Sequence, residues 1–171
     1  MILDLSDIIK NENGQKVVDV LLELAPIEFM GEEYILKCPV KVDGAITNNS
    51  KNLELKAKVS GTVGVRCARC AKDFDTEFNF DVDEILVRDE TGTVDDPDII
   101  AFAGYEVELD PIIVDNFLMN IEGRYLCSED CKGLCPICGC DLNVEECSCE
   151  KETIDPRWAA LAEIMKDTTT E

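Results

Sequence analysis

The chain has 171 residues, of which 46% are hydrophobic, so it is long enough to bury a core and too apolar to be disordered. Its 37 acidic residues outnumber 16 basic ones, and the net charge of −21 opposes long-range attraction to nucleic acid and favours a basic partner. The sequence contains no histidine, which leaves thiolate and carboxylate as transition-metal ligands and removes the commonest residue of general acid–base chemistry.

The N-terminal residues, MILDLSDIIK, are acidic and amphipathic, and they lack the basic start and long apolar run of a signal peptide. No stretch approaches the roughly 18 consecutive apolar residues of a membrane span. We therefore expect a cytoplasmic protein, in which thiols stay reduced and structural disulfides are rare. Ten cysteines in such a chain indicate metal binding.

The first half of the chain has the alternating pattern of β-strands. After a short helical or extended segment in residues 1–15, apolar and polar residues alternate, and the predicted strands span 16–24, 32–50, 52–67 and 73–87. Gly44 or the Asn-Asn-Ser run at 48–50 suits a turn. Residues 88–104 are acidic and rich in turn formers, which predicts a surface loop, and a brief strand follows at 105–109.

Two Asp-Pro pairs predict helix starts. Asp110 is expected as an N-cap with Pro111 at the first helical position, and Ile113, Phe117 and other apolar residues then form one stripe. Asp155-Pro156 predicts a last helix that carries Trp158. The predicted fold is α+β: an antiparallel β-sheet, with a barrel-like form as the alternative, packed by one or two helices and with a cysteine-rich zinc-binding lobe near the C-terminus. We expect one domain over residues 1–171, β-rich in 1–109 and containing helix, zinc lobe and C-terminal helix in 110–171.

Most cysteines lie in residues 127–149, CSEDCKGLCPICGCDLNVEECSC. The run Cys-Pro-Ile-Cys-Gly at 135–139 is a zinc-knuckle turn, in which two thiolates bind one ion and the glycine accepts a positive φ. A tetrahedral site needs a second pair, and the Cys-Ser-Cys at 147–149 is the nearest. The first predicted site therefore comprises Cys135, Cys138, Cys147 and Cys149.

Two further cysteine pairs, one on each side of the predicted helix, remain after this assignment and are expected to meet. They form a second predicted site of Cys67, Cys70, Cys127 and Cys131. This site closes a loop of more than fifty residues and acts as a clamp, because the energy of metal binding becomes folding energy. Cys38 is interpreted as a buried strand thiol. Cys140 is either exposed or competes with Cys147 or Cys149 for the first site.

Other uses of the cysteines are less consistent with the pattern. An iron–sulfur cluster is an alternative, but the spacing matches neither common ferredoxin pattern. A redox Cys-x-x-Cys is disfavoured because Cys67 and Cys70 follow a strand without a βαβ context. A catalytic zinc needs an open coordination position, which two sites of four thiolates do not leave. The predicted cofactor is zinc, as one or two structural ions.

Basic residues concentrate in residues 51–72, in the strand that enters the first Cys-x-x-Cys. The simpler interpretation is a solvated strand face whose lysines pair with neighbouring acids. The alternative is a local contact with RNA phosphate. The candidate RNA-binding residues are Lys56, Lys58, Arg66, Arg69 and Lys72.

The chain resembles the YceD family, the large ribosomal RNA subunit accumulation proteins. The resemblance is carried by CARC at 67–70, CSEDCKGLCPICGCDLN at 127–143, CSC at 147–149 and DPRWAAL at 155–161, which occur in the family's order. Cys140 departs from the usual pattern. The resemblance implies a role in 23S rRNA processing or accumulation, and a functional link to a small basic protein of the large subunit.

Two functional hypotheses follow. The first is a non-enzymatic ribosome biogenesis factor that engages a large-subunit precursor or its 23S rRNA. The second is an acidic, chaperone-like protein that binds a small basic ribosomal protein, with the acids of residues 73–98 imitating phosphate. A nuclease or other hydrolase is disfavoured, because hydrolytic metal sites use open carboxylate and histidine ligands. No membrane or small-molecule substrate is expected.

Overall fold

The computed structural model describes residues 1–50, 52–94 and 96–149. These residues divide into two compact units, one formed by Met1–Cys67 with Lys72–Cys127 and the other by Ala68–Ala71 with 128–149. The expectation of one domain over residues 1–171 stays a prediction. In chain order the elements are β1 (Ile2–Asp4), α1 (Ser6–Ile9), β2 (Gln15–Leu22), β3 (Ile27–Phe29), β4 (Glu32–Asn48), β5 (Leu53–Arg66), β6 (Asp73–Arg88), β7 (Ile99–Phe102), β8 (Glu106–Glu108) and α2 (Leu109–Asn120).

The main sheet has the strand order β2-β4-β5-β6-β7, and β3 forms a short hairpin with β4. Neighbours from β2 to β6 are antiparallel, whereas β7 runs parallel to the end of β6. Strands β1 and β8 form a separate antiparallel pair. Within the described residues the main sheet stays open, with β2 and β7 at its edges. The α+β fold with a mostly antiparallel sheet is thus confirmed, whereas the barrel-like alternative is wrong, because β2 and β7 are not paired with each other in the described part of the chain.

One face of the sheet is buried and the other faces solvent. In β5 the odd-numbered residues from Leu53 to Val59 are buried, and the charged residues between them are exposed or half-buried. The antiparallel partners place Phe74, Phe78 and Phe80 of β6 on the same inner face. This alternation is expected for an antiparallel sheet with one solvated face, and it confirms the predicted long strands.

Helix α2 closes the core over this inner face. Its Phe117 ring lies 5.2 Å from the ring of Phe78 and 6.1 Å from that of Tyr34, both in edge-on geometry. Leu109, Ile112 and Ile113 are buried on the same side of the helix. The predicted apolar stripe is therefore observed, extended towards the start of the helix by Leu109 and Ile112.

The turn suggested at Gly44 is wrong, whereas the turn at the Asn-Asn-Ser run is correct. Gly44 lies inside β4, paired with Val18 on one side and Ala57 on the other. A Cβ at this position would overlap the carbonyl oxygen of Lys56, so the absence of a side chain permits close approach of two strands. The chain turns instead after Asn48, where the Asn49 amide bonds to the carbonyl oxygen of Asn52.

Two other predictions need correction. The segment 88–104 contains a strand, β7, because Ile99–Phe102 adds in parallel to β6, a non-local pairing that local turn formers do not reveal. Helix α2 starts two residues earlier than predicted: Glu108 is the N-cap, and Asp110 lies in the first turn. The Asp110 carboxylate pairs with the amino group of Met1 at 2.6 Å instead of capping. The predicted last helix, at Asp155-Pro156 and beyond, lies outside the described residues.

Candidate metal centres

The Cys-Pro-Ile-Cys-Gly run forms a tight turn around a sulfur atom. The Gly139 amide donates to the carbonyl oxygen of Cys135 at 2.8 Å, and Gly139 adopts a φ of 76°. The Ile137 amide points at Sγ of Cys135, 3.4 Å away. Hydrogen bonds from the backbone amides of Cys138 and Ile137 lower the pKa of Cys135 to about 6, so its thiolate is favoured near neutral pH.

Four thiols surround this turn. The sulfur atoms of Cys135, Cys138, Cys147 and Cys149 all lie within 4.8 Å of one another. Sγ of Cys147 is 3.4 Å from that of Cys135 and 3.5 Å from that of Cys138. A tetrahedral ion with metal–sulfur bonds of about 2.3 Å separates its sulfurs by about 3.8 Å, so this arrangement matches the donor set of such an ion. We call these residues the C-terminal thiol group.

The crowding of these thiols opposes their joint ionisation. Contacts with Cys147 and Cys138 raise the pKa of Cys149 to about 12. Several thiolates at such short range repel one another unless a cation lies between them. The electrostatics of the C-terminal thiol group thus suit a bound metal ion.

A second set of four thiols is equally compact. The sulfur atoms of Cys67, Cys70, Cys127 and Cys131 lie within 4.8 Å of one another, which makes this set able to hold a metal ion. Three of the four residues are buried, and Cys127 is half-buried. We call this set the clamp thiol group. Both groups contain the same residues that sequence spacing had paired.

The loop between Cys67 and Cys70 is held by contacts to residues 129–134. The Arg69 guanidinium donates to the carbonyl oxygens of Glu129, at 3.2 Å, and Cys131, at 2.8 Å. The Arg69 carbonyl accepts from the Leu134 amide at 3.1 Å. Gly133 has a φ of 75°, and a Cβ there would lie 2.9 Å from the same carbonyl oxygen. Arg69, predicted as an RNA contact, thus has a structural role that the sequence pattern did not indicate.

The two remaining cysteines of the sequence are Cys38 and Cys140. Cys140 is half-buried next to the C-terminal thiol group, and its carbonyl oxygen accepts from the Cys135 amide at 2.8 Å. The neighbouring Cys138 thiol and burial raise the pKa of Cys140 to about 12. The backbone of Cys38 lies in β4. The prediction that its thiol is buried concerns a side chain outside the described part of the structure.

The other candidate RNA-binding residues lie on or near the exposed face of the sheet. Lys56 pairs with Glu54 at 3.3 Å and Asp83 at 3.7 Å, and Lys58 pairs with Asp81 at 3.9 Å. Arg66 pairs with Asp73 at 3.0 Å, and hydrogen bonding to that carboxylate raises the pKa of Arg66. Lys72 is exposed beyond β5. In the structure Lys56, Lys58 and Arg66 therefore pair with neighbouring acids.

Among the helices of the described residues, none has the length and apolar character needed to cross a membrane.

An antiparallel sheet with one solvated face and two compact four-cysteine groups defines a cysteine-rich class of α+β protein, and both groups are able to hold a metal ion. The chain belongs to the YceD family: residues 55–165 match the family model described as large ribosomal RNA subunit accumulation protein YceD. The match extends from β5 through both thiol groups.

Relatives in two bacteria are similar over long stretches. The uncharacterized protein YlbN of Bacillus subtilis is 27% identical over 149 residues, which cover 86% of this chain and 87% of the relative. The uncharacterized protein Rv2926c of Mycobacterium tuberculosis is 29% identical over 114 residues, which cover 63% of this chain and 55% of the relative. No solved structure matches.

Proposed function

We propose that this protein is a non-enzymatic assembly factor that supports 23S rRNA processing or accumulation in the large ribosomal subunit. The observation that carries the proposal is the match of residues 55–165 to a family described by large ribosomal RNA subunit accumulation. The matched region includes residues 55–66 of β5, which contain Lys56, Lys58 and Arg66, and both thiol groups. We place its site of action in the cytoplasm, where large subunits are assembled in bacteria.

We further propose zinc as a structural ion in both thiol groups. Zinc takes four thiolates in tetrahedral geometry, and a complete set leaves no coordination position for a substrate. This supports a non-enzymatic role. In the clamp thiol group, zinc would join Cys67 and Cys70, which precede β6, to Cys127 and Cys131, which follow α2. Metal binding would then stabilise the fold of the chain between the two pairs.

The exposed face of the sheet is the surface that we propose for contact with the precursor. Lys56 and Lys58 of β5 extend from it, and they lie opposite Asp83 and Asp81 of β6. Exposed ion pairs of this kind contribute little to stability, so an RNA phosphate is able to replace the carboxylate partner of a lysine. On this hypothesis, the lysines contact 23S rRNA within the precursor.

A second candidate is favoured by the row of acids beside these lysines. Alternate residues of β6 on the exposed face are carboxylates over much of the strand, at Asp73, Asp75, Glu77, Asp81 and Asp83. Such a row, on a chain with a net charge of −21, suits a small basic ribosomal protein better than RNA. On this hypothesis the protein is an acidic, chaperone-like partner of that ribosomal protein.

One pair of variants separates the two candidates. Lys56→Gln with Lys58→Gln removes the bases, and Asp81→Asn with Asp83→Asn removes the acids of the same two cross-strand pairs. Both double variants lose these two cross-strand ion pairs, so the effect of that loss on folding is common to them, and the lysine variant additionally loses the Lys56–Glu54 pair. Arg69 is left unchanged, because its guanidinium bonds to backbone carbonyls. The measurement is co-sedimentation with large-subunit precursors on a low-salt gradient.

If the protein contacts rRNA, the lysine variant leaves the precursor fraction and the aspartate variant stays or binds more tightly. If it binds a basic ribosomal protein, the aspartate variant loses binding and the lysine variant does not. Unchanged sedimentation of both variants would show that this face makes no contact with the precursor. Failure of the wild-type chain to co-sediment with any large-subunit precursor would overturn the assembly role itself.

A further inference from the structure

The loop between Cys138 and Cys147 carries an asparagine that reaches the other thiol group. Nδ2 of Asn143 lies 3.5 Å from Sγ of Cys131 and donates to it. Oδ1 of the same amide accepts from the Lys132 amide at 2.7 Å. Asn143 therefore contacts both the sulfur of a clamp ligand and the peptide that follows that ligand.

The orientation of this amide is fixed by a turn anchored at Asp141. One carboxylate oxygen of Asp141 accepts from the Asn143 backbone amide at 2.9 Å and from Nδ2 at 2.7 Å. Leu142 donates to the carbonyl oxygen of Gly133 at 3.0 Å, and Leu134 forms a β-bridge with Asp141. The Asn143 side chain is thus held next to residues 131–134, because Asp141 orients it and residues 141 and 142 pair with residues 133 and 134.

The same loop begins and ends at ligands of the C-terminal thiol group. Cys138 precedes Asn143 and Cys147 follows it, and their sulfurs lie 3.5 Å apart. An ion bound by these thiolates fixes both ends of the loop. Occupancy of the C-terminal thiol group consequently determines how firmly the Asn143 amide is held at Cys131.

We propose that Asn143 is a positioning residue that couples the two thiol groups, by donating to the Cys131 thiolate from a loop fixed by the other ion. Hydrogen bonds to metal-bound sulfur orient the ligand and stabilise its negative charge, and their loss typically weakens metal binding about 10- to 100-fold. The inference rests on the proposal that both groups bind metal. It adds that they bind cooperatively.

The first test is a titration of the metal-free, reduced full-length chain with Co²⁺, followed by the thiolate-to-cobalt charge-transfer band. Asn143→Ala removes all three hydrogen bonds of the side chain, whereas Asn143→Asp keeps the acceptor for the Lys132 amide and removes the donor to Cys131 and Asp141. We expect both variants to weaken binding at the clamp thiol group about 10- to 100-fold and to shift its band. The matched control is Asn120→Ala, because the Asn120 side chain donates only to the carbonyl oxygen of Asn116 among the bonds described for it. We expect this variant to bind Co²⁺ at both thiol groups as the wild type does. Wild-type binding by Asn143→Asp would overturn the donor role.

The second test is a double-mutant cycle. Cys138→Ser with Cys149→Ser abolishes the C-terminal thiol group, and we expect the clamp thiol group to bind Co²⁺ more weakly by the factor that Asn143→Ala causes. Adding Asn143→Ala to this background should cause no further loss, since the amide is then no longer held in place. Fully additive losses would overturn the coupling while leaving both metal sites intact. A wild-type chain that bound no Co²⁺ would refute the metal proposal as well, so the two failures are distinguishable.

Discussion

The guanidinium of Arg69 donates a hydrogen bond to the carbonyl oxygen of Cys131 over 2.8 Å. Arg69 lies between Cys67 and Cys70 in sequence. Cys131 belongs to the second chain segment that contributes cysteines to the clamp thiol group. The bond therefore links the two cysteine-bearing segments through a side chain that is not itself a ligand. Arg69, although it lies in the basic segment 51–72, therefore has a structural role.

Replacing Arg69 by alanine is expected to lower both metal retention and thermal stability. The change removes charged hydrogen bonds to the carbonyl oxygens of Glu129 and Cys131, and we expect a loss of about 1–2 kcal/mol in the free energy of unfolding of the metal-bound protein. The measurement is thermal unfolding in parallel with zinc release to a chromogenic chelator. Lys72→Ala is the control, since Lys72 is an exposed base in the same segment. Equal effects of the two changes would contradict the structural role of Arg69.

Gly133→Ala is expected to be more damaging than Gly139→Ala. Both glycines have nearly the same positive φ, 75° and 76°, so alanine meets the same backbone strain at either position, about 1 kcal/mol. Only at Gly133 would the new Cβ also meet backbone, 2.9 Å from the carbonyl oxygen of Arg69, whereas nothing lies within 4 Å at Gly139.

The difference between the two alanine variants therefore isolates the close approach of the 67–70 loop to residue 133. It should appear as faster zinc release from Gly133→Ala than from Gly139→Ala. Indistinguishable release rates would show that this approach makes no contribution to metal retention.

The buried amide of Asn48 predicts a loss of fold stability on substitution. Asn48 is 8% exposed, and its Nδ2 donates to the carbonyl oxygens of Ile8, at 2.8 Å, and Asn11, at 3.2 Å, at the end of α1. Asn48→Ala leaves these carbonyls without that donor, and we expect the free energy of unfolding to fall by about 2 kcal/mol. Asn49→Ala, one residue further and exposed, should change it little. Chemical denaturation of both variants, with metal present, decides the matter, and equal midpoints would refute the role of Asn48.

Local patterns were sufficient to predict the long strands β2, β4, β5 and β6, because one face of an antiparallel sheet is buried and the alternation of apolar and polar residues reflects that burial. The members of each thiol group could also be predicted, since the spacing of cysteines in the sequence limits which of them share an ion. Non-local features were missed. Strand β7 owes its place to parallel pairing with β6, and the contacts of Arg69 and Asn143 join residues far apart in sequence. Asn143 does occur in the CDLN run that is part of the family resemblance, and this was the one indication in the sequence that Asn143 has a role.

Removing the metal is expected to loosen the cysteine-rich segment and spare the sheet. Elemental analysis of protein purified without chelator should find one zinc ion for each of the two thiol groups. The buried apolar core runs from Leu3 to Phe117 and includes no residue of the segment 128–149. After chelation under reducing conditions, the amides of Cys135, Gly139 and Leu142, which bond within that segment, should exchange hydrogen much faster. Amides of β4 and β5 should keep most of their protection, because their ladder and core contacts need no ion. Loss of protection throughout the sheet on chelation would instead show that the fold as a whole depends on metal, and iron in place of zinc would overturn the structural assignment of both groups.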